Sequence, residues 1–170
     1  MKQLKKYTFL TIGFLLLMLN VKSQGKKTDN PPEKFSVVEA KLENGKPVVG
    51  SINMAYKDYE DKSKYPWCLE LHIALELKNV TPNGLPTKKE SDIANKFEDE
   101  LFDKISKITT AHYIGHLYND SFLDIYIYLE EPKKVHEYLQ TQVNKKGITR
   151  GFAYEINNDP LWTKVNSLFK

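Results

Sequence analysis

Between Pro66 and Leu77 the sequence alternates without interruption: Trp67, Leu69, Leu71, Ile73, Leu75 and Leu77 fall on one side, and Cys68, Glu70, His72, Ala74 and Glu76 on the other. Successive side chains leave a strand on opposite faces, so six apolar residues at a period of two require a strand buried on one side. The remaining sequence must supply neighbouring strands and a layer that covers the apolar face.

Downstream, Thr81-Pro82-Asn83-Gly84-Leu85-Pro86 breaks the chain, and Thr87 followed by Glu90 has the pattern of a capping box. There the Thr oxygen accepts from a free helix N–H and the Glu reaches back to the N–H of the cap. The helix opened at this point carries Ile93, Ala94, Phe97, Leu101, Ile105 and Ile108 at three- and four-residue spacing, with Glu98, Asp99, Glu100, Asp103 and Lys104 elsewhere on its circumference. Two extended runs follow, 110–118 and 122–129. The second alternates, with Leu123, Ile125, Ile127 and Leu129 on one face and Phe122, Asp124, Tyr126 and Tyr128 on the other. Glu131-Pro132 opens a second helix with Val135, Tyr138, Leu139 and Val143 as its stripe, and Gly147 stops it. Residues 148–157 are extended. Asp159 as N-cap and Pro160 at the first helical position then start a short terminal helix. Upstream, 35–42 and 47–56 flank Glu43-Asn44-Gly45-Lys46, and an Asn-Gly turn between extended runs predicts a hairpin.

The predicted order is β-β-β-α-β-β-α-β-α, and its centre, β-α-β-β-α-β, is the split order of a ferredoxin-like sandwich. The fold class expected is therefore α+β: an antiparallel sheet, two long helices on one face through right-handed crossovers, an added N-terminal hairpin and a short C-terminal helix. Leu69, Leu71, Ile73, Ile125 and Ile127 form the core under the helices.

The N-terminus has a different character. Lys2, Lys5 and Lys6 precede an uncharged, mostly apolar stretch from Tyr7 to Leu19, followed by Val21-Lys22-Ser23-Gln24. A basic region, a short apolar region and small residues at the third and first positions before a cut describe a secretory signal peptide, cleaved between Ser23 and Gln24. The alternative is a retained, uncleaved anchor, but the apolar stretch is shorter than the ~20 residues that cross hydrocarbon, and no Cys follows it closely enough for lipid attachment. Residues 1–23 are thus read as the signal, 24–34 as a flexible leader (charged, with two prolines), and 35–170 as one α+β domain. The mature protein is expected to be exported, periplasmic or secreted, with no membrane association once the signal is removed.

Charge then excludes a partner class. The whole chain is +3, with 25 basic against 22 acidic residues; cleavage removes four Lys and no acid, leaving 21 against 22, or −1. Arg150 is the one arginine, and the pairs Lys88-Lys89, Lys133-Lys134 and Lys145-Lys146 are scattered among acids. A nucleic-acid footprint is not expected. One cysteine excludes a disulfide framework and a four-cysteine metal site.

Several residue groups in a fixed order resemble the family known as domain of unknown function 695. They are Tyr65-Pro66-Trp67, Asn83-Gly84-Leu85-Pro86 with Glu90, Phe97-Glu98-Asp99-Glu100-Leu101, Tyr113-Ile114-Gly115, Tyr126-x-Tyr128 and Asp159-Pro160-x-Trp162. The resemblance spans about Phe35 to the C-terminus. It implies an uncharacterised, mostly bacterial domain, sometimes found beside a domain resembling the ribonuclease E regulator B protein, with no established catalytic residues to carry over. The sequence departs from the family's pattern at His116, where a basic Arg is common, and in its signal peptide, which does not suit cytoplasmic RNA processing.

Four constellations could carry chemistry. His112 and His116 have the spacing of a helical metal pair, but on a strand four residues span ~13 Å, and zinc needs both nitrogens at ~2.1 Å; two strand histidines is the better reading. Glu70 and His72 share the polar face of the central strand, and Asp124 lies on the neighbouring strand, so the three are candidates for an acid/base or metal cluster on the helix-free face. A solvated polar sheet face holds such residues equally well. Phe122, Tyr126 and Tyr128, with Tyr65 and Trp67, are candidates for a binding surface, unless the terminal helix or the hairpin covers the stripe. They lack the pattern of an RNA-stacking module. Cys68 is ~13 Å along the strand from His72 and reads as a buried thiol.

No catalytic or metal motif emerges and no cofactor is expected. The expected function is binding of a protein or small ligand through the helix-free face or the loops around Tyr65 and Asn83. The alternatives are a small hydrolase or metal-dependent enzyme using Glu70, His72 and Asp124, and an inhibitor of an exported enzyme.

Overall fold

The computed structural model describes residues 30–143 and 145–170; the signal segment and most of the leader lie outside the described residues. Six strands, β1 (Phe35–Lys41), β2 (Pro47–Asn53), β3 (Trp67–Ala74), β4 (Ala111–Asn119), β5 (Phe122–Leu129) and β6 (Phe152–Asn158), form one sheet. The order is β1-β2-β4-β5-β3-β6, and every pairing is antiparallel. Two α-helices, α1 (Lys88–Ile108) and α2 (Lys133–Val143), and a C-terminal 3-10 helix (Thr163–Phe169) complete the α+β architecture.

Parity along β3 and β5 divides the interior in two. Leu69, Leu71 and Ile73 with Leu123, Ile125, Ile127 and Leu129 meet Ala94, Phe97, Leu101 and Ile105 of α1 and Val135 and Leu139 of α2 in the main core. Both helices therefore lie on one face. The opposite face has a smaller core in which Ile52, Cys68, Ile114 and Tyr128 pack beneath Tyr56, Tyr65, Trp162, Val165 and Phe169. The half of this face nearest β3 residue 68 is thus closed by the C-terminal segment. β1, at the sheet margin, has one unpaired edge among the described residues and is exposed along almost its whole length.

Several boundaries depart from the sequence reading. β3 ends at Ala74, although Leu75 still alternates into the main core, and Leu77 lies in a short 3-10 turn, largely exposed. The cause is Glu90, whose buried carboxylate takes the Glu76 N–H at 2.9 Å and pulls the chain out of the ladder. Thr87 does cap α1, accepting from the Glu90 N–H, but Glu90 does not reach back. It is spent instead on Arg150, Asn79 and Glu76. The terminal helix is 3-10 and starts at Thr163 rather than at Pro160, after Trp162 in the left-handed region at φ 56°. Asp159 still serves it, accepting from the N–H groups of Thr163 and Lys164 across the turn. Lys34, in the expected leader, is already tied to the sheet: its N–H donates to Asn53 Oδ1 and its carbonyl accepts from Met54.

One irregularity decides which residues meet. Tyr113 faces Ile127 and Gly115 faces Tyr126, so Ile114 is an extra residue, a β-bulge in β4. Gly115 sits at φ 149°, where a side chain is strained, and a Cβ there would meet Ser51 O at 2.2 Å. Gly50, across the same strand pair, would place a Cβ 1.9 Å from His116 O. The two glycines let β2 and β4 close on each other around the bulge.

Candidate functional site

The bulge shifts the parity of β4, and with it the two histidines. His112 pairs with Tyr128 and is buried in the smaller core, whereas His116 pairs with Ile125 and emerges on the helix face. They lie on opposite sides of the sheet. Among the described residues, no group of three His, Cys, Asp or Glu side chains is placed to hold a metal ion.

On the face away from the helices, the residues of the aromatic motifs form a latch. Trp162 stacks on Tyr128 at 4.0 Å and 13°, and its indole N–H donates to the carbonyls of Tyr65 (3.0 Å) and Lys62 (3.1 Å). The Tyr128 hydroxyl donates to Asp159 Oδ2 at 2.6 Å, and the Asp159 N–H to Pro66 O. Four hydrogen bonds held to Asp159 keep its carboxyl below the ordinary range against the opposing effect of burial. Tyr65 and Tyr128 are consequently closed to any partner, which corrects their place in the candidate binding surface. Trp67 is half-buried on the helix side against the main core, apart from the half-buried Tyr126 and the exposed Phe122, which corrects its place in the candidate surface. Burial pushes the Cys68 thiol up to about 12, leaving it inert.

The candidates Glu70, His72 and Asp124 separate into two pairs. His72 Nδ1 lies 2.7 Å from Asp124 Oδ1, and Asn119 Nδ2 donates to the other oxygen of the same carboxylate at 2.6 Å. Glu70, one step nearer the latch, is taken by Lys164 of the terminal helix, Nζ to Oε1 2.9 Å, a contact of charges without hydrogen-bond alignment.

The most developed cluster lies on the other face, between α1 and the β2–β4 strand pair. Glu98 projects from α1 almost fully buried. The Tyr113 hydroxyl donates to its Oε1 at 2.6 Å, and His116 Nδ1–H donates to the same carboxylate, 2.9 Å from Oε2. The Tyr113 oxygen is also 3.0 Å from His116 Nδ1, so each of the three touches both others. Burial, and next the Glu98 charge, push the Tyr113 hydroxyl far above its ordinary range, so it remains a donor. Orienting the imidazole through Nδ1 leaves Nε2 as the ring nitrogen not committed to Glu98. These side chains floor a groove of 420 Å³, with Phe35 and Phe102 as walls and Ser51, Asn95, Asp99 and Glu33 around them. Ser51 stands directly across the strand pair from His116. Next to the groove, the Tyr118 hydroxyl donates to Asn95, fixing α1 a turn earlier.

The sequence reading placed Glu98 on the polar side of α1. A signal existed: Glu90, Ala94, Glu98, Leu101 and Ile105 recur at three and four residues, so both acids lie on the buried stripe. For His116 there was none, because its face depends on the bulge.

An α+β protein with a wholly antiparallel six-stranded sheet, a latch of motif aromatics on one face and a polar groove on the other is the class these observations define. The chain belongs to the family of unknown function DUF695, whose model matches residues 36–168. The resemblance read from the sequence is therefore correct, and the family has no named activity. No curated protein and no solved structure matches the chain.

Proposed function

We propose that this chain is an exported binding domain whose ligand seat is the groove between α1 and the β2–β4 pair. The observation that carries the reading is the Glu98–Tyr113–His116 cluster on the floor of a 420 Å³ groove, a volume suited to a small molecule. Its polar atoms bond to one another, which holds the floor rigid and suits recognition more than chemistry. Export rests on the pattern of residues 1–23. A ferredoxin-like layout for the central part rests on the order β6-β3-β5-β4 and on α1 and α2 sharing one face. The β1–β2 hairpin extends that layout.

Thermal melts of the purified protein against small molecules grouped by charge and polarity test the binding reading. At least one class should raise Tm, and Phe102→Ala should abolish the rise measured against the variant's own melt in buffer, which is expected to be lower because Phe102 packs on the main core. A flat response across all classes would overturn it.

A second reading is supported by the His72–Asp124 pair, which sits on the uncovered half of the opposite face and has the geometry of an oriented base. It predicts turnover of an ester, phosphate ester or glycoside that is lost in His72→Ala. Absence of turnover across such a panel removes it.

A further inference from the structure

The walls of the groove carry information about the ligand that its volume does not. Among the described residues that line it, three are acids, Glu33, Glu98 and Asp99, and none is Lys or Arg. Three rings face the same space: Tyr113 lies 5.4 Å from Phe102, edge to face, and 6.2 Å from Phe35. Carboxylates beside the faces of aromatic rings favour one kind of guest. The ring quadrupole attracts a cation, and the nearby carboxylates offset its loss of water. An anion meets three like charges. A neutral guest would cover Asp99 without answering its charge, and partial burial together with the Glu98 charge already pushes the Asp99 carboxyl upward.

The arrangement is also graded. Glu98 is deep, buried and fixed by Tyr113 and His116, whereas Asp99 and Glu33 are exposed on the rim and Phe35 is 46% exposed. A guest entering from solvent meets charge at the rim and aromatic surface further in. We infer that the groove takes a small organic cation, an ammonium or guanidinium group joined to an apolar body, with its head towards Asp99 and Glu98 and its body against Phe102 and Tyr113. The inference names the ligand class of the seat proposed above and rests on that reading.

Matched probes separate the two. Phenethylamine and agmatine carry the cation; phenethyl alcohol and 3-phenylpropionate are the neutral and anionic counterparts. Each is titrated into the isotopically labelled purified protein by NMR. The cations should shift the resonances of Phe102, Tyr113 and Ser51, and bind at least about tenfold more tightly than the alcohol. The double variant Glu33→Gln/Asp99→Asn alters only exposed side chains; it should keep its Tm and lose most of the cation affinity. If the alcohol or the carboxylate shifts the same resonances equally well, the charge inference falls while the binding seat survives. Binding of the cations with unchanged affinity in the double variant would also overturn the charge inference. If no probe perturbs these resonances, both the seat and its ligand class are wrong.

Discussion

Glu90 shows how one side chain can hold several elements at once. It is fully buried at the start of α1, bonded through both oxygens to Arg150, and it also accepts from the Glu76 N–H and Asn79 Nδ2. The Arg150 guanidinium first, aided by those two donors, lowers the carboxyl from an ordinary 4.5 to about 2. A carboxyl held lower in the folded state gives stability that is complete above its unfolded value and lost as pH falls through the folded one. This pair should therefore contribute on the order of 3 kcal/mol at neutral pH, and the contribution should fade between pH 4.5 and about 2. Urea denaturation across that window should show the decline. Arg150→Met should cost about 3–5 kcal/mol at pH 7, because it leaves a buried charge unpaired, and should flatten the acid slope. Equal slopes in the two proteins would mean that other carboxylates govern acid stability. The sequence disclosed Thr87 as a cap and Arg150 as the one arginine. It did not disclose that Glu90 would leave the cap for Arg150, since the pairing spans 60 residues and depends on where β6 begins.

Among the elements, the bulged strand was legible as a strand, within one residue at each end, but only the strands that alternate cleanly had legible faces. β5 runs over the residues its pattern indicates, and β3 fails only at its end, where Glu90 intervenes. In β4 one inserted residue reverses every later side chain, and the pattern from Thr110 to Tyr118 does not reveal it, because apolar and aromatic residues occupy both faces. The helix-side groove was missed for this reason, while Glu70, His72 and Asp124 were placed on their correct face. Gly115→Ala should cost about 2–4 kcal/mol by chemical denaturation, since the backbone conformation and the contact with Ser51 O both oppose a Cβ. Retention of wild-type stability would mean that β2 and β4 can separate without loss. In the latch, Trp162→Phe keeps an aromatic ring over Tyr128 but removes the indole donor from the Tyr65 and Lys62 carbonyls, of which Lys62 O keeps the Tyr65 N–H, at about 1–2 kcal/mol. Trp162→Ala should cost about 3–5 kcal/mol. Near-equal losses would assign the latch to hydrogen bonding rather than packing.

At the scale of the whole molecule, the element order was readable because each break carried its own chemistry: Asn-Gly at the first hairpin, Pro and Gly before α1, Pro132 before α2. Covering of the second face was not fully readable, since the terminal segment can be positioned only once Tyr65, Tyr128 and Asp159 are known to converge. The export proposal also belongs to this scale. Expression of the full chain in a bacterium, followed by fractionation and intact-mass measurement, should yield a soluble exported protein beginning at Gln24. A membrane-retained chain with the mass of all 170 residues would refute cleavage.

The latch joins Trp162 to Tyr65 and Lys62 across 97 and 100 positions of sequence. A polypeptide emerging N-terminus first can form its β1–β2 hairpin early, but Tyr128 has no stacking partner until Trp162 has emerged. A chain cut before Trp162 would lack the ring stacked on Tyr128 and the indole donor to the Tyr65 and Lys62 carbonyls, so it should be cleaved by a protease faster than one that carries the segment.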